Sequence, residues 1–259
     1  MFDSSPLQAI TSTQAALHQD NKIVGSIYLI RHGQASFGAD NYDVLSARGT
    51  EQAKILGRYL AGLGIDFDAA YAGTLERQQS TAASALGQLA EHNLKAPSVT
   101  LDAGFNEYLS DEVIRAYMPD LLEYEPNAQA ILHNAANQRA EFQRLFAFVI
   151  NRWAGGQHPR EGLQSWQGFV DQVQAALTKV LAKAQAKDRI AIFTSGGTIT
   201  AAMQLVLGLN PLNAFELNWQ IVNTSVSVIK FRNTQMAVAS FNSAAHLEQL
   251  NNPDLITYR

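Results

Sequence analysis

Three short apolar runs, each ending in a turn that opens onto a helical pattern, constrain this chain more than any other feature. The clearest is Ile190-Ala191-Ile192-Phe193. It is continuous and bounded by polar residues, as a strand covered on both faces in a parallel sheet would be. Thr194-Ser195-Gly196-Gly197 follows it, then a helical stripe of Ile199, Met203 and Val206. The second run, Ile27-Tyr28-Leu29-Ile30, stops at Arg31-His32-Gly33 and reads as a buried strand. The third lies near Asp68 to Ala72 and stops at Gly73-Thr74.

The segments between these runs have helical spacing. Ser46 is placed to cap a helix with the stripe Leu56, Tyr59, Leu60 and Leu63, ended by Gly62 and Gly64. Thr74 is placed to cap a second, with Leu75, Ala82, Leu86 and Leu89 on one face. Val99 to Leu101 reads as a short strand. Two longer stripes follow: Phe142, Leu145, Phe146, Val149 and Trp153, then Trp166, Phe169, Val170, Val173, Leu177 and Val180. These are read as core-facing helix surfaces rather than a cofactor box. Val226 to Ile229 and Ala237 to Phe241 flank Asn233 and suggest a closing strand pair.

Strands alternating with helices predict an α/β fold. The stretch from about 106 to 164 carries no strand pattern and is read as a helical insertion. Residues 1–22 are Ser/Thr/Gln/Ala-rich and are read as an N-terminal extension, with a short helix around Leu7 to Leu17 as one option. The remainder, 23–259, is expected to form one domain.

Composition limits the partners. The chain has 259 residues, 47% of them hydrophobic, and a formal net charge of −4, without a basic block. Neither nucleic acid nor an anionic membrane surface is expected as a partner. There are no cysteines, so disulfides, thiolate chemistry and Cys-type zinc sites are excluded. Met1 to Asp20 lacks the charged start and apolar run of a secretory signal, and no stretch has the length of a membrane span. The expectation is a cytoplasmic protein. Oligomeric state is not legible.

In an open α/β sheet, ligands bind outside the carboxyl ends of the strands. The three strand ends carry Arg31, His32 and Gly33; then Gly73 and Thr74, with Arg77 a turn further on; then Ser195, Gly196 and Gly197. Two guanidiniums, close-approach glycines and a helix N-terminus all suit a phosphate-like anion. If the strands are neighbours, these residues meet at one sheet edge. His32 sits among them, and an imidazole beside a phosphate clamp can attack phosphorus. The other five histidines have no such context and are read as structural or solvated.

The run Leu29-Ile30-Arg31-His32-Gly33 resembles the signature of the histidine phosphatase superfamily, which includes cofactor-dependent phosphoglycerate mutase. Leu45-Ser46 to Ala53 is similar to the family's first helix entry. Tyr71 to Ala82 resembles the segment bearing its second phosphate-binding Arg, here Arg77. Phe105-Asn106-Glu107 falls at the position of its catalytic acid. Thr194-Ser195-Gly196-Gly197 falls where the family has a second His and two glycines. The likeness spans roughly residues 26–245.

The resemblance implies a three-layer sandwich: a mostly parallel central sheet, helices on both faces, and a helical insertion. It also implies a metal-independent phosphatase without cofactors, acting on a small phosphorylated substrate through a phosphohistidine. His32 would be the nucleophile. Glu107 would be the acid, with a pKa raised by burial. Arg31, Arg77, Ser195 and Gly196 would bind phosphate.

Two positions depart from the family pattern. Ser195 replaces the second His, keeping one donor but no charge. Hydrogen bonds to charged groups are worth roughly 1.5–3 kcal/mol, so transfer is expected to slow by about 10- to 100-fold unless compensated. Gly196 and Gly197 N–H groups, or His133 or His158, are the candidates for compensation. Mutases of the family continue with Glu-Ser/Thr and Trp-Asn, whereas this chain continues Gln34-Ala35-Ser36-Phe37-Gly38. Gly38 replaces the phosphate-contacting Asn, with the Ser36 hydroxyl as a substitute donor. This favours hydrolysis. The alternatives are mutase-type phosphotransfer and a weakly active phosphate-ligand binding protein.

Overall fold

The computed structural model describes residues 24–36, 43–135 and 137–258. The expected N-terminal extension and Gly38 lie outside these residues. Six strands form one sheet in the order β3-β2-β4-β1-β5-β6. They are β1 (Gly25–Arg31), β2 (Ala69–Ala72), β3 (Val99–Leu101), β4 (Arg189–Thr194), β5 (Val226–Arg232) and β6 (Gln235–Ser243). The first four are mutually parallel, and β5 and β6 run antiparallel at one edge.

The apolar runs at the centre are continuous because both sheet faces are covered. Alternate residues of a strand point to opposite sides. Ile27, Leu29, Ile190 and Ile192 therefore enter one core. They pack there with α7 (Trp166–Lys183) and α8 (Gly196–Leu207). Ile30, Ala191 and Phe193 enter a second core, against α1 (Ala47–Gly62) and α2 (Glu76–Glu91). The result is the three-layer α/β sandwich expected from the sequence, with helices on both faces of a mostly parallel sheet.

Residues 106–164 contain α3 (Ser110–Ala116), α4 (Met118–Tyr124), α5 (Ala128–His133) and α6 (Arg139–Ala154), and no strand among the described residues. The aromatic stripes face inward, since Trp153, Trp166 and Phe169 are buried and pack edge-on or tilted against Tyr108. A further helix, α9 (Pro211–Asn218), follows α8, and a short α10 (Ala245–Glu248) follows β6.

Local signals explain most helix ends. The Ser46 side chain accepts from the Gly49 N–H (3.0 Å) and caps α1. Gly64 takes the left-handed conformation just past its end, at φ +64°. Leu63 is not part of the buried stripe; it is 57% exposed at the helix terminus. Thr74 does not cap α2. The N-cap is Leu75, without a side-chain bond of its own. The Glu76 N–H donates instead to Asp43 Oδ2 (2.8 Å), and Thr74 is drawn to Asn106. Asn233 turns the β5–β6 hairpin at φ +54°, a conformation Asn tolerates.

Candidate functional site

β4 lies between β1 and β2, so the three strand ends singled out in the sequence are adjacent. Arg31 is in register with Thr194, and the His32 N–H donates to the Thr194 carbonyl (2.8 Å). The Gly33 N–H donates to Thr81 Oγ1 on α2 (3.0 Å). A Cβ at Gly33 would lie 2.3 Å from the Gly49 carbonyl oxygen, so only glycine lets this loop pass the start of α1.

His32 is 4% exposed. Its Nδ1 lies 2.7 Å from the Gly33 carbonyl oxygen, an atom that can only accept. The neutral ring is therefore protonated at Nδ1 and keeps a lone pair on Nε2. Arg77 Nε donates to that Nε2 (3.3 Å). Burial first, then the Arg31 and Arg77 charges, hold the His32 pKa well below the usual imidazole value. The Gly33 carbonyl opposes the shift without cancelling it.

The two guanidiniums are anchored differently. Arg77 Nη1 pairs with Asp43 Oδ1 at 2.6 Å. Arg31 Nη1 donates to the Ile221 carbonyl. Glu107 comes from the segment after β3 and reaches the start of α8. Its Oε2 accepts from the Gly197 N–H (3.0 Å) and its Oε1 from the Tyr108 N–H (3.2 Å). Desolvation raises its pKa above the usual carboxyl range, against the lowering effects of the Gly197 N–H, Arg77, Arg31 and the Tyr108 N–H. A Cβ at Gly197 would sit 2.1 Å from Glu107 Oε1, so glycine at this position makes room for the carboxyl.

Ser195 is fully buried and its Oγ accepts from Gln78 Nε2 (2.8 Å). A Cβ at Gly196 would be 3.8 Å from Arg31 Nε, which places the α8 N-terminus beside that guanidinium. The structure thus gathers Arg31, His32, Arg77, Glu107, Ser195 and Gly196 at one edge. It does not bring in His133 or His158. Both are exposed on the insertion, and His158 Nε2 faces Arg152 Nη1 (3.0 Å). Nor is the Gly197 N–H a spare donor, because Glu107 occupies it. The Ser36 N–H pairs with the Val44 carbonyl (2.9 Å).

Sequence reasoning missed the supports of this cluster. Asp43, Gln78, Asn223 and Thr224 have no motif that announces them. The Asn223 amide donates to the His32 carbonyl (3.0 Å), and the Thr224 N–H to the Arg31 carbonyl (3.1 Å). Thr224 does so at φ +60°, a strained conformation for a β-branched residue. Behind them, Thr257 Oγ1 donates to Asn223 Oδ1 (2.9 Å), and Gln52 links Thr257 to the Gln34 N–H.

This fold and cluster define a phosphoglycerate mutase-like α/β protein with an imidazole, two guanidiniums and a carboxyl gathered at one sheet edge. The chain belongs to the histidine phosphatase superfamily (branch 1), whose family model matches residues 27–129 and 133–244. The mitochondrial serine/threonine-protein phosphatase Pgam5 of Drosophila willistoni is 32% identical over 122 residues. That match covers 46% of this chain and 40% of the relative, so the chain matches less than half of the curated relative's length. A phosphoserine phosphatase variant from Entamoeba histolytica, solved with phosphoserine, superposes with a TM-score of 0.60 at 18% identity. The superposition covers 86% of this chain and 99% of that one. A phosphoglycerate mutase from Bacillus anthracis gives 0.58 at 18% identity, covering 88% and 97%. At this identity the two structures speak for the fold.

Proposed function

We propose that this protein is a metal-independent phosphatase that hydrolyses a small phosphorylated substrate through a phosphohistidine at His32. One observation carries the reading. The His32 Nδ1 proton is committed to the Gly33 carbonyl, while Nε2 keeps its lone pair within reach of Arg77 Nε. A neutral imidazole so fixed is a nucleophile, and its depressed pKa favours the neutral form.

In the first step Nε2 forms a bond to phosphorus as the bond to the leaving oxygen breaks. Arg77 Nε exchanges its contact with the imidazole for one with a phosphoryl oxygen, and Arg31 takes another. Glu107, whose protonated form desolvation favours, gives its proton to the leaving oxygen. In the second step the Glu107 carboxylate takes a proton from water as that water attacks phosphorus. The N–P bond breaks, releasing phosphate and restoring both groups. Gly38, in place of the mutases' phosphate-contacting Asn, supports hydrolysis over transfer between hydroxyls. Residence in the cytoplasm is part of the same proposal, and subcellular fractionation of the native protein checks it.

The test is turnover of a chromogenic phosphomonoester, together with trapping of the phosphoprotein. Wild type should release phosphate and give an acid-labile, base-stable adduct, and His32→Ala should give neither. Equal hydrolysis by both proteins, or none by wild type across a broad panel, overturns the reading.

A further inference from the structure

The family pattern has an imidazole where this chain has Ser195, and the structure shows what Ser195 is tied to. Gln78, the residue after Arg77 on α2, is fully buried. Its Nε2 donates to two acceptors, the Phe105 carbonyl (3.0 Å) and Ser195 Oγ (2.8 Å). The Phe105 carbonyl has no hydrogen to give, so the amide must present its NH2 group on that side. This fixes the orientation even though Oε1 then has no partner among the described residues. Oε1 fills the space in front of Gly73, where a Cβ would lie only 1.9 Å away.

With Gln78 donating, Ser195 Oγ is an acceptor in that bond and keeps its own hydrogen. The hydroxyl does not cap its own helix, and no acceptor among the described residues takes that hydrogen. Ser195 is flanked by the two arms of the cluster. Arg31 lies beside Gly196 on one side, and Glu107 is bonded to Gly197 on the other. We propose that Gln78 is a positioning residue that holds Ser195 as an acceptor, so that the pair presents one oriented O–H donor to the phosphoryl oxygens. This rests on reading the sheet edge as a phosphate site. A hydroxyl with an acceptor and a donor role both assigned is pre-organised, whereas a free rotor must be ordered by the ligand.

Gln78 also ties the site together. The Phe105 carbonyl that it holds accepts from Thr194 Oγ1 as well (2.6 Å), two residues before Glu107. Ser195→Ala removes the donor and leaves the Gln78–Phe105 bond, whereas Gln78→Met removes both bonds of the amide. Binding of inorganic phosphate, measured by calorimetry on the full chain, reads the donor directly and needs no turnover. Each variant should weaken phosphate by about tenfold, as loss of one hydrogen bond to an anion predicts. The double variant should be no weaker than the weaker of the two single variants, because Gln78 acts on phosphate through Ser195. Ser195→Thr, which keeps the hydroxyl, should restore most of the affinity. The pH profile of turnover should not move in these variants, since neither side chain titrates.

Unchanged phosphate affinity in Ser195→Ala, or a double variant as weak as the product of the singles, overturns the proposal. Melting curves accompany each variant; if Gln78→Met does not fold, Gln78→Leu replaces it, and Ser195→Ala decides the donor by itself. Failure of the phosphatase reading looks different: wild type binds phosphate in a Ser195-dependent way but forms no phosphohistidine.

Discussion

The two arms of the site are built on opposite principles. The Arg31-His32-Gly33 arm is pinned through its backbone. Thr194, Thr81, Asn223 and Thr224 hold its amides and carbonyls, and a polar network reaching Gln52 and Thr257 stands behind them. The Glu107 arm is held through the side-chain carboxyl itself, by the N–H groups of Gly197 and Tyr108. In the proposed roles of His32 and Glu107 the contrast has a chemical logic: a nucleophile must keep one tautomer and one direction throughout, so rigidity serves it. An acid must alternate between charged and neutral forms. It needs contacts that survive either state and a low-dielectric setting that keeps the two close in energy. The difference teaches that one pocket can hold neighbouring groups by different rules when their chemical tasks differ.

Four measurements break or sharpen this contrast. The largest effect falls on the proposed acid. Glu107→Gln should lower kcat by about 10²- to 10⁴-fold, the range for loss of a general acid. It should also change the pH profile. The proposed mechanism requires neutral His32, whose pKa is lowered, and protonated Glu107, whose pKa is raised. Activity should therefore fall as pH drops through the His32 pKa and as it rises through the Glu107 pKa, and the alkaline fall should vanish in Glu107→Gln. Retention of the alkaline limb would assign it to another group.

Gly197→Ala should cost about 100-fold in kcat, because the added methyl occupies the place of Glu107 Oε1 and displaces the carboxyl by an ångström or more. Steady-state kinetics with an unchanged melting temperature would localise the damage to the acid.

On the nucleophile arm the effects appear as stability. His246 is buried against Thr224 Oγ1 (2.9 Å), and burial lowers its pKa to about 4. The unfolded chain takes up a proton below pH ~6.5 and the folded chain does not until about pH 4. Stability should thus be lost as pH falls across that window, by about 3 kcal/mol from this residue. Denaturant titrations at pH 7 and pH 4.5 should show a smaller drop in His246→Gln than in wild type. The smallest change is Asn223→Ala. It leaves the buried His32 carbonyl short of a donor and should cost about 1–3 kcal/mol, read by the denaturation midpoint. A larger loss of kcat than of stability there would show that the backbone pin also sets the direction of the imidazole.

Much of the architecture could be read before the coordinates because burial on both sheet faces leaves an unmistakable pattern. Ile190 to Phe193 had to be apolar without interruption, and Ser46 carries its cap within three residues. Thr74 misled because its hydroxyl is claimed by Asn106 across the cleft, and the donor it was expected to satisfy is met by Asp43, 33 residues upstream of the helix. The residues of the proposed anion site were legible because guanidiniums, glycines and a histidine at strand ends have few structural reasons to be there. Gln78 was not, since a buried glutamine within a helix has no signature until its partners are known.

The sequence by itself determined the layers, the strand ends and the residues able to grip an anion, since these follow from periodicity and side-chain chemistry along a local stretch. Only the tertiary structure decided that β4 separates β1 from β2, that Gly33 fixes the proton on His32 and that desolvation raises Glu107. It alone assigned Ser195 a buried partner in Gln78. Strand order, tautomer and pKa depend on groups brought together from distant parts of the chain, and no local pattern encodes which ones meet.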